Sequence, residues 1–166
     1  MSIDFITNLE AAMKYLHTQG AFLTAKDKER VNTMTISWGN IGFQWNKPIF
    51  TVLVRKSRYT YELIENSGDF TVSIPLKETL KDALLFCGTK SGRDVDKFTQ
   101  CNLTLEPSKE VCTPIIGNCE LHYECRIVYK QAMDKTFLLP EIMQSSYSSD
   151  DYHTLYYGEI VACYKK

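Results

Sequence analysis

The chain contains no G-x-x-x-x-G-K-[ST], no G-x-G-x-x-G, no H-E-x-x-H and no G-x-S-x-G. Walker-type and Rossmann-type phosphate loops are therefore disfavoured, as are zincin chemistry and the hydrolase nucleophile elbow. An excess of charge of either sign is also missing, since 19 Lys and Arg stand against 20 Asp and Glu for a net charge of −1. Such a balance offers no whole-surface field, so neither nucleic acid nor a membrane is expected as a partner. An anionic ligand would have to be held by a local cluster. No apolar run approaches the length of a membrane span, and the opening "MSIDFITNLE" has neither a basic region nor a long apolar core. No signal peptide is expected, and a cytoplasmic location follows as an expectation. The six cysteines (Cys87, Cys101, Cys112, Cys119, Cys125 and Cys163) form no C-x-x-C pair. They are expected as reduced thiols, most of them small core residues, and no metal site is expected. No nucleophile–base pair is evident from spacing, so no catalytic side chain is assigned.

The 166 residues are expected to form one domain over 1–166, with an aromatic share of 12% that fits half-buried strands. Phe5, Leu9, Ala12, Met13 and Leu16 recur at helical spacing and predict a first helix ending near Gly20. "AFLTAK" and "VNTMTISWG" predict a hairpin, "GNIGFQWNKP" a loop, and "IFTVLVR" a buried strand. A short helix is expected from about Arg58, with Ser57 as its cap and Gly68 just past its end. "FTVSIP" reads as strand and "LKETLKDALLFCG" as helix. In "CELHYECRIVYK", Leu121, Tyr123, Cys125, Ile127 and Tyr129 share one face, with His122, Glu124 and Arg126 on the other. "SSYSSDDYH" is expected as a solvated loop rather than a lid, before a closing strand "TLYYGEIVACYK" in which Gly158 marks a bulge or a close approach. Strands outnumber helices, so the fold class is mainly β with helical insertions, a barrel or sandwich.

Three polar clusters could carry chemistry. In "VRKSRYT" a strand passes into a helix, whose first turn leaves backbone N–H groups unpaired. Arg55 and Lys56 add charge there, and Ser57 and Thr60 add hydroxyls, a set suited to a phosphate. The competing reading has Ser57 capping the helix and the cations solvated. "CGTKSGRDVDKF" mixes two glycines with Arg93 and Lys97. Ser91 and Gly92 allow a turn of converging amides, while Asp94 and Asp96 could instead pair with the two cations at a capped helix start. "NTMTISWG" puts Asn32, Thr33, Thr35 and Ser37 beside Met34, Ile36 and Trp38. That strand is either half-exposed or a grip for a flat heterocycle. Of the three histidines, His17 is expected to be solvated near a helix end and His122 structural, and His153 is the candidate for touching a ligand.

In order and spacing, "NTMTISWG", "VLVRKSRYTYELIENSGDFTVSIP", "CGTKSGRDVDKF" and "HTLYYGEI" resemble the flavin reductase-like family of FMN-binding split barrels, and most of all its flavoredoxin branch. The resemblance implies a six-stranded split barrel with helical insertions, a homodimer, and FMN near the subunit interface. It implies that Asn32, Thr33, Met34, Thr35, Ile36, Ser37 and Trp38 line the isoalloxazine ring. Arg55, Lys56, Ser57, Tyr59 and Thr60 would then flank the phosphate. Ser91, Gly92, Arg93 and Lys97 would complete that side, with Cys87 and Gly88 shaping the turn and His153 near the flavin or a second substrate. The function implied is an FMN-dependent oxidoreductase passing electrons from NAD(P)H or a redox protein to an acceptor. Two alternatives stand beside it: an FMN electron carrier without efficient nicotinamide turnover, and a ligand-binding barrel without redox chemistry.

Overall fold

The computed structural model describes residues 3–166. Helix α1 (Leu9–Thr18) is followed by strands β1 (Ala21–Asp27), β2 (Arg30–Ile36), β3 (Gly39–Gln44) and β4 (Lys47–Arg55). Then come α2 (Tyr59–Asn66), β5 (Asp69–Ile74), α3 (Lys81–Thr89) and α4 (Lys97–Gln100). A two-residue ladder of β6 (Leu105–Glu106) and β7 (Ile115–Ile116) precedes the long strand β8 (Leu121–Ala132), helix α5 (Pro140–Ser146) and the long strand β9 (His153–Lys165).

The main sheet is antiparallel throughout, with seven strands in the order β2-β1-β5-β8-β9-β4-β3. Its two edge strands, β2 and β3, are joined in sequence by only Ser37 and Trp38. Three Cα–Cα steps span at most about 11 Å. The sheet must therefore curl until its edges meet at that end, and because β2 and β3 do not pair, the barrel stays split. This mainly β split barrel agrees with the expected class. It has one strand more than the resemblance implied, because "GNIGFQ" is a strand rather than a loop. Trp45 and Asn46 both have positive φ (53° and 58°) and turn β3 tightly into β4, with Gln44 opposite Lys47. The two glycines in β3 had masked its strand character.

Two cores lie on opposite faces of β1. Leu23 and Ala25 join Phe50, Val52, Phe70, Val72, Tyr123 and Tyr156 in the barrel. Phe22 meets Ala83, Leu84, Cys87, Leu103 and Ile116 beneath α3. The first half of β8 is buried on both faces and its second half is exposed, so its alternation holds while water reaches only one end. Gly158 in β9 is a close-approach point. A Cβ there would sit 2.6 Å from both the Cys125 Cβ and the Phe70 ring. The helix expected over 76–88 starts later, at Lys81, after a short 3₁₀ turn.

Candidate functional site

Two adjoining clefts open at the split end of the barrel. The first, of about 530 Å³, is lined by Met34, Thr35, Ile36, Ser37, Trp38, Leu53, Arg55, Arg58 and His153. The second, of about 540 Å³, lies between the start of α2 and the turn after α3, lined by Asn32, Met34, Ser57–Thr60 and Thr89–Arg93, with Lys97. Met34 and Arg58 belong to both walls, so the two clefts form one continuous depression. Segments distant in sequence come together because β2 ends beside β3 at the split, and because α2 and α3 both pack on β2.

The second cleft is built around cations. Lys97 is buried, 3% exposed, and its ammonium donates to the carbonyls of Thr33 (2.8 Å) and Cys87 (2.9 Å). Burial lowers its pKa, the ordinary response of an ammonium taken out of water. No carboxylate lies within 4.0 Å of Lys97, Arg55 or Arg58 among the described residues. Arg58 donates one N–H to the Gly88 carbonyl at 2.9 Å, which hangs it from the end of α3 over both clefts. The backbone N–H groups of Tyr59 and Thr60, in the first turn of α2, have no protein acceptor among the described residues. Gly92 presses against this wall so closely that a Cβ would lie 2.1 Å from Asn32 Oδ1 and 2.9 Å from the Tyr59 ring. Asn32 in turn donates to Thr60 Oγ1 at 2.8 Å.

Arg93 straps the 88–93 turn onto α2. It pairs with Glu62, donates to the Ser57 carbonyl (3.2 Å) and lies over the Tyr59 ring. The alternative in which Asp94 and Asp96 take up Arg93 and Lys97 is not what forms. Asp96 caps α4 through the amides of Phe98 and Thr99, and Lys97 turns inward to carbonyls. Ser57 does not cap α2 either; its hydroxyl donates to Asp151.

In the first cleft, β4 pairs with β9 so that Arg55 faces His153 across the ladder. Arg55 donates to the carbonyls of Ser146 (2.8 Å) and Asp151, and its guanidinium lies over the Tyr147 ring. "SSYSSDDYH" is thus anchored at Ser146, Tyr147 and Asp151, with Tyr147 only 5% exposed, while Ser148, Ser149 and Asp150 face solvent as expected of a solvated loop. His153 is buried at its end, bonded through Nδ1 to the Tyr147 hydroxyl at 2.7 Å and packed on the half-exposed Trp38, ring centroids 5.4 Å apart. Burial first, then the nearby Arg55, push its pKa down to about 4, so the ring is neutral near pH 7.

Of the residues singled out in the sequence, Asn32, Met34, Thr35, Ile36, Ser37, Trp38, Arg55, Ser57, Tyr59, Thr60, Ser91, Gly92, Arg93, Lys97 and His153 line the two clefts. Thr33 faces away and donates to the Leu23 carbonyl, Cys87 lies in the core beneath α3, Gly88 serves through its carbonyl, and Lys56 points to solvent. The Cys87 thiol is pushed up to about 12 by burial, which makes it unreactive. Three residues of this end of the barrel lie outside the set that the sequence singles out: Leu53, Arg58 and Tyr147. Leu53 is one apolar residue in a buried strand and Arg58 marks a helix start, although it is also the third cation of "VRKSRYT". Tyr147 was hidden in the most polar stretch of the chain, where one aromatic among serines was its only signal.

Residues 13–166 match the flavin reductase like domain. The chain belongs to that family. It is 28% identical to flavoredoxin from Methanosarcina acetivorans, covering 89% of this chain and 68% of that one, with a TM-score of 0.69. Flavoredoxin of Desulfovibrio vulgaris (Miyazaki F) is 25% identical, covering 90% and 70% of the two chains, with a TM-score of 0.70. An uncharacterised protein of Archaeoglobus fulgidus is 34% identical over 132 residues, which are 79% of this chain and 73% of that protein. The chain is a flavin reductase-like split barrel, and no helix among its described residues is long and apolar enough to cross a membrane.

Proposed function

We propose that this protein binds FMN across the two clefts and acts as an oxidoreductase, passing electrons from NAD(P)H or a redox protein to an acceptor. The observation that carries the reading is the set of three cations, Arg55, Arg58 and Lys97, without a carboxylate partner beside the free amides of α2. A buried ammonium with only two carbonyl acceptors is a costly arrangement that an anionic group offsets. In this reading Ser57, Arg58, Tyr59, Thr60, Ser91, Gly92, Arg93 and Lys97 hold the phosphate. Met34, Thr35, Ile36, Ser37, Trp38, Leu53 and His153 border the isoalloxazine ring. FMN, when bound, supplies the redox chemistry. The chain's own residues bind and orient it: Gly92 lets the turn approach Asn32, Arg58 ties the two clefts together, and Trp38 covers one side.

Membership of the flavin reductase like domain family and the likeness to two flavoredoxins support the cofactor. In the same reading residues 1–166 form one domain, cytoplasmic and homodimeric. Six free thiols are consistent with a reducing compartment. A homodimer draws support from the exposed aromatic patch in which Trp45 packs edge-on against Tyr129 and Tyr157.

The test is the visible spectrum of the purified protein before and after incubation with FMN and desalting, followed by anaerobic NADH or NADPH. Retained flavin bands that bleach with nicotinamide are expected. Retained bands that neither nicotinamide bleaches would reassign the donor to a redox protein, and a colourless product would overturn FMN binding.

A further inference from the structure

Tyr147 is a buried side chain with a polar end next to the first cleft, and the FMN reading gives it no role. Its hydroxyl touches Nδ1 of His153 at 2.7 Å and has no other hydrogen-bond partner among the described residues. A phenol with a single partner either donates to it or leaves its proton unused, and in a buried setting the unused donor is the costlier choice. The phenol therefore donates and Nδ1 accepts. In a neutral imidazole the other nitrogen, Nε2, then carries the ring proton. Nε2 makes no hydrogen bond among the described residues and is not sealed from solvent, and His153 lines the first cleft. Tyr147 is itself held from the far side, because Arg55 lies over its ring at 4.9 Å and grips the backbone on both sides of it at Ser146 and Asp151.

We propose that Tyr147 is a positioning residue that locks His153 in the tautomer with its proton on Nε2, so that the first cleft presents a hydrogen-bond donor to an acceptor atom of its ligand. The inference rests on the FMN reading only for the ligand's identity; the tautomer is a property of the free protein. Arg55 from β4, Arg58 at the start of α2, Asp151 in the preceding loop and Tyr147 itself are the ionisable groups around the ring. Arg55 and Arg58 oppose protonation of the ring and Asp151 favours it, which leaves a donor that does not rely on a positive charge. The matching ligand atom is a carbonyl oxygen or an unprotonated ring nitrogen, whereas an N–H or O–H hydrogen directed at Nε2 would be rejected.

The deciding measurement is two-bond ¹H–¹⁵N correlation NMR of the full-length protein labelled with ¹⁵N-histidine, with and without Tyr147→Phe. His153 is assigned by the loss of its signals in His153→Asn. In the wild-type protein the expected pattern is a pyrrole-like Nε2 and a pyridine-like Nδ1, unchanged on acidification to pH 5. Phenylalanine keeps the ring packing, so Tyr147→Phe is expected to stay folded by circular dichroism. In that variant the His153 signals should average between tautomers and begin to titrate at higher pH. A pyrrole-like Nδ1 in the wild type, or a Tyr147→Phe spectrum identical to wild type, would overturn the proposal. FMN titration of both proteins adds a second readout, with about fivefold weaker binding expected in Tyr147→Phe for the loss of one oriented neutral hydrogen bond. Equal affinity despite a changed tautomer would refute the role towards the ligand. Failure of the wild type to bind FMN at all would instead sink the FMN reading and leave the tautomer result standing.

Discussion

His122 and His153 sit on neighbouring strands, are both buried, and are both driven towards the neutral form first of all by that burial. Their surroundings differ in one respect. His122 has both ring nitrogens engaged, Nδ1 with Ser73 Oγ and Nε2 with the Cys119 carbonyl, each at 3.0 Å. His153 has one nitrogen engaged and one open to a cleft. The same contrast separates the two buried charges nearby. Glu124 accepts from the amides of Lys109 and Glu110 and from the Tyr164 hydroxyl, whereas Lys97 has two carbonyls and no counter-charge. Of these four groups, His122 and Glu124 are saturated by the fold, whereas His153 and Lys97 at the split end keep one capacity unspent. Within these two pairs it is the unspent capacity, not burial or a shifted pKa, that separates the cleft residues from the structural ones.

The contrast can be broken first at Glu124. Glu124→Ala leaves three donors without their acceptor, which should cost about 3 kcal/mol of stability in urea unfolding while FMN affinity stays unchanged. An affinity loss with intact stability would erase the distinction between the two regions. Arg58→Ala should do the reverse, weakening FMN binding by roughly 30-fold, about 2 kcal/mol for a charge-assisted contact, with little effect on unfolding. Unaltered affinity would remove Arg58 from the site. Trp38→Ala touches a side chain already 49% exposed, so stability should move by less than about 0.5 kcal/mol. Flavin fluorescence in the complex should nevertheless rise as the indole beside the first cleft is lost. An unchanged emission would place the ring elsewhere.

The smallest effect is on the pH dependence. Burial pushes His153 down to about 4 from the ordinary imidazole value of 6.5. The unfolded chain therefore binds the proton first, and the contribution is complete above pH 6.5 and lost as pH falls towards 4. His122 is shifted the same way and adds to the same acid-side loss. Replacing His153 with Asn should flatten the midpoint-versus-pH curve on the acid side without altering it above pH 7. A curve of unchanged slope would mean that His153 binds its proton equally well in the folded and the unfolded chain.

Much of this architecture is written locally. The helical spacing of Leu9, Ala12 and Leu16, the β-branched run in "IFTVLVR" and the alternation after Leu121 are each set by neighbours in sequence, and each element forms where that periodicity places it. The three polar clusters were legible as well, and the structure brings them to one end of the barrel. Pairing decided the rest. "GNIGFQ" is a strand because β4 offers it a ladder, although two glycines weaken its own propensity. Lys97 turned inward because the carbonyls of Thr33 and Cys87, distant in sequence, converge on it. Tyr147 left a polar loop for the interior because Arg55 and His153 meet there across the β4–β9 ladder. Residue type and period thus determined which segments are helix, strand or polar cluster, since those depend on contacts a few residues apart. Only the closure of the sheet decided which polar groups would be satisfied and which left open, because the bonds of Lys97 to Thr33, His122 to Ser73 and Arg55 to Ser146 join segments that local sequence cannot bring together.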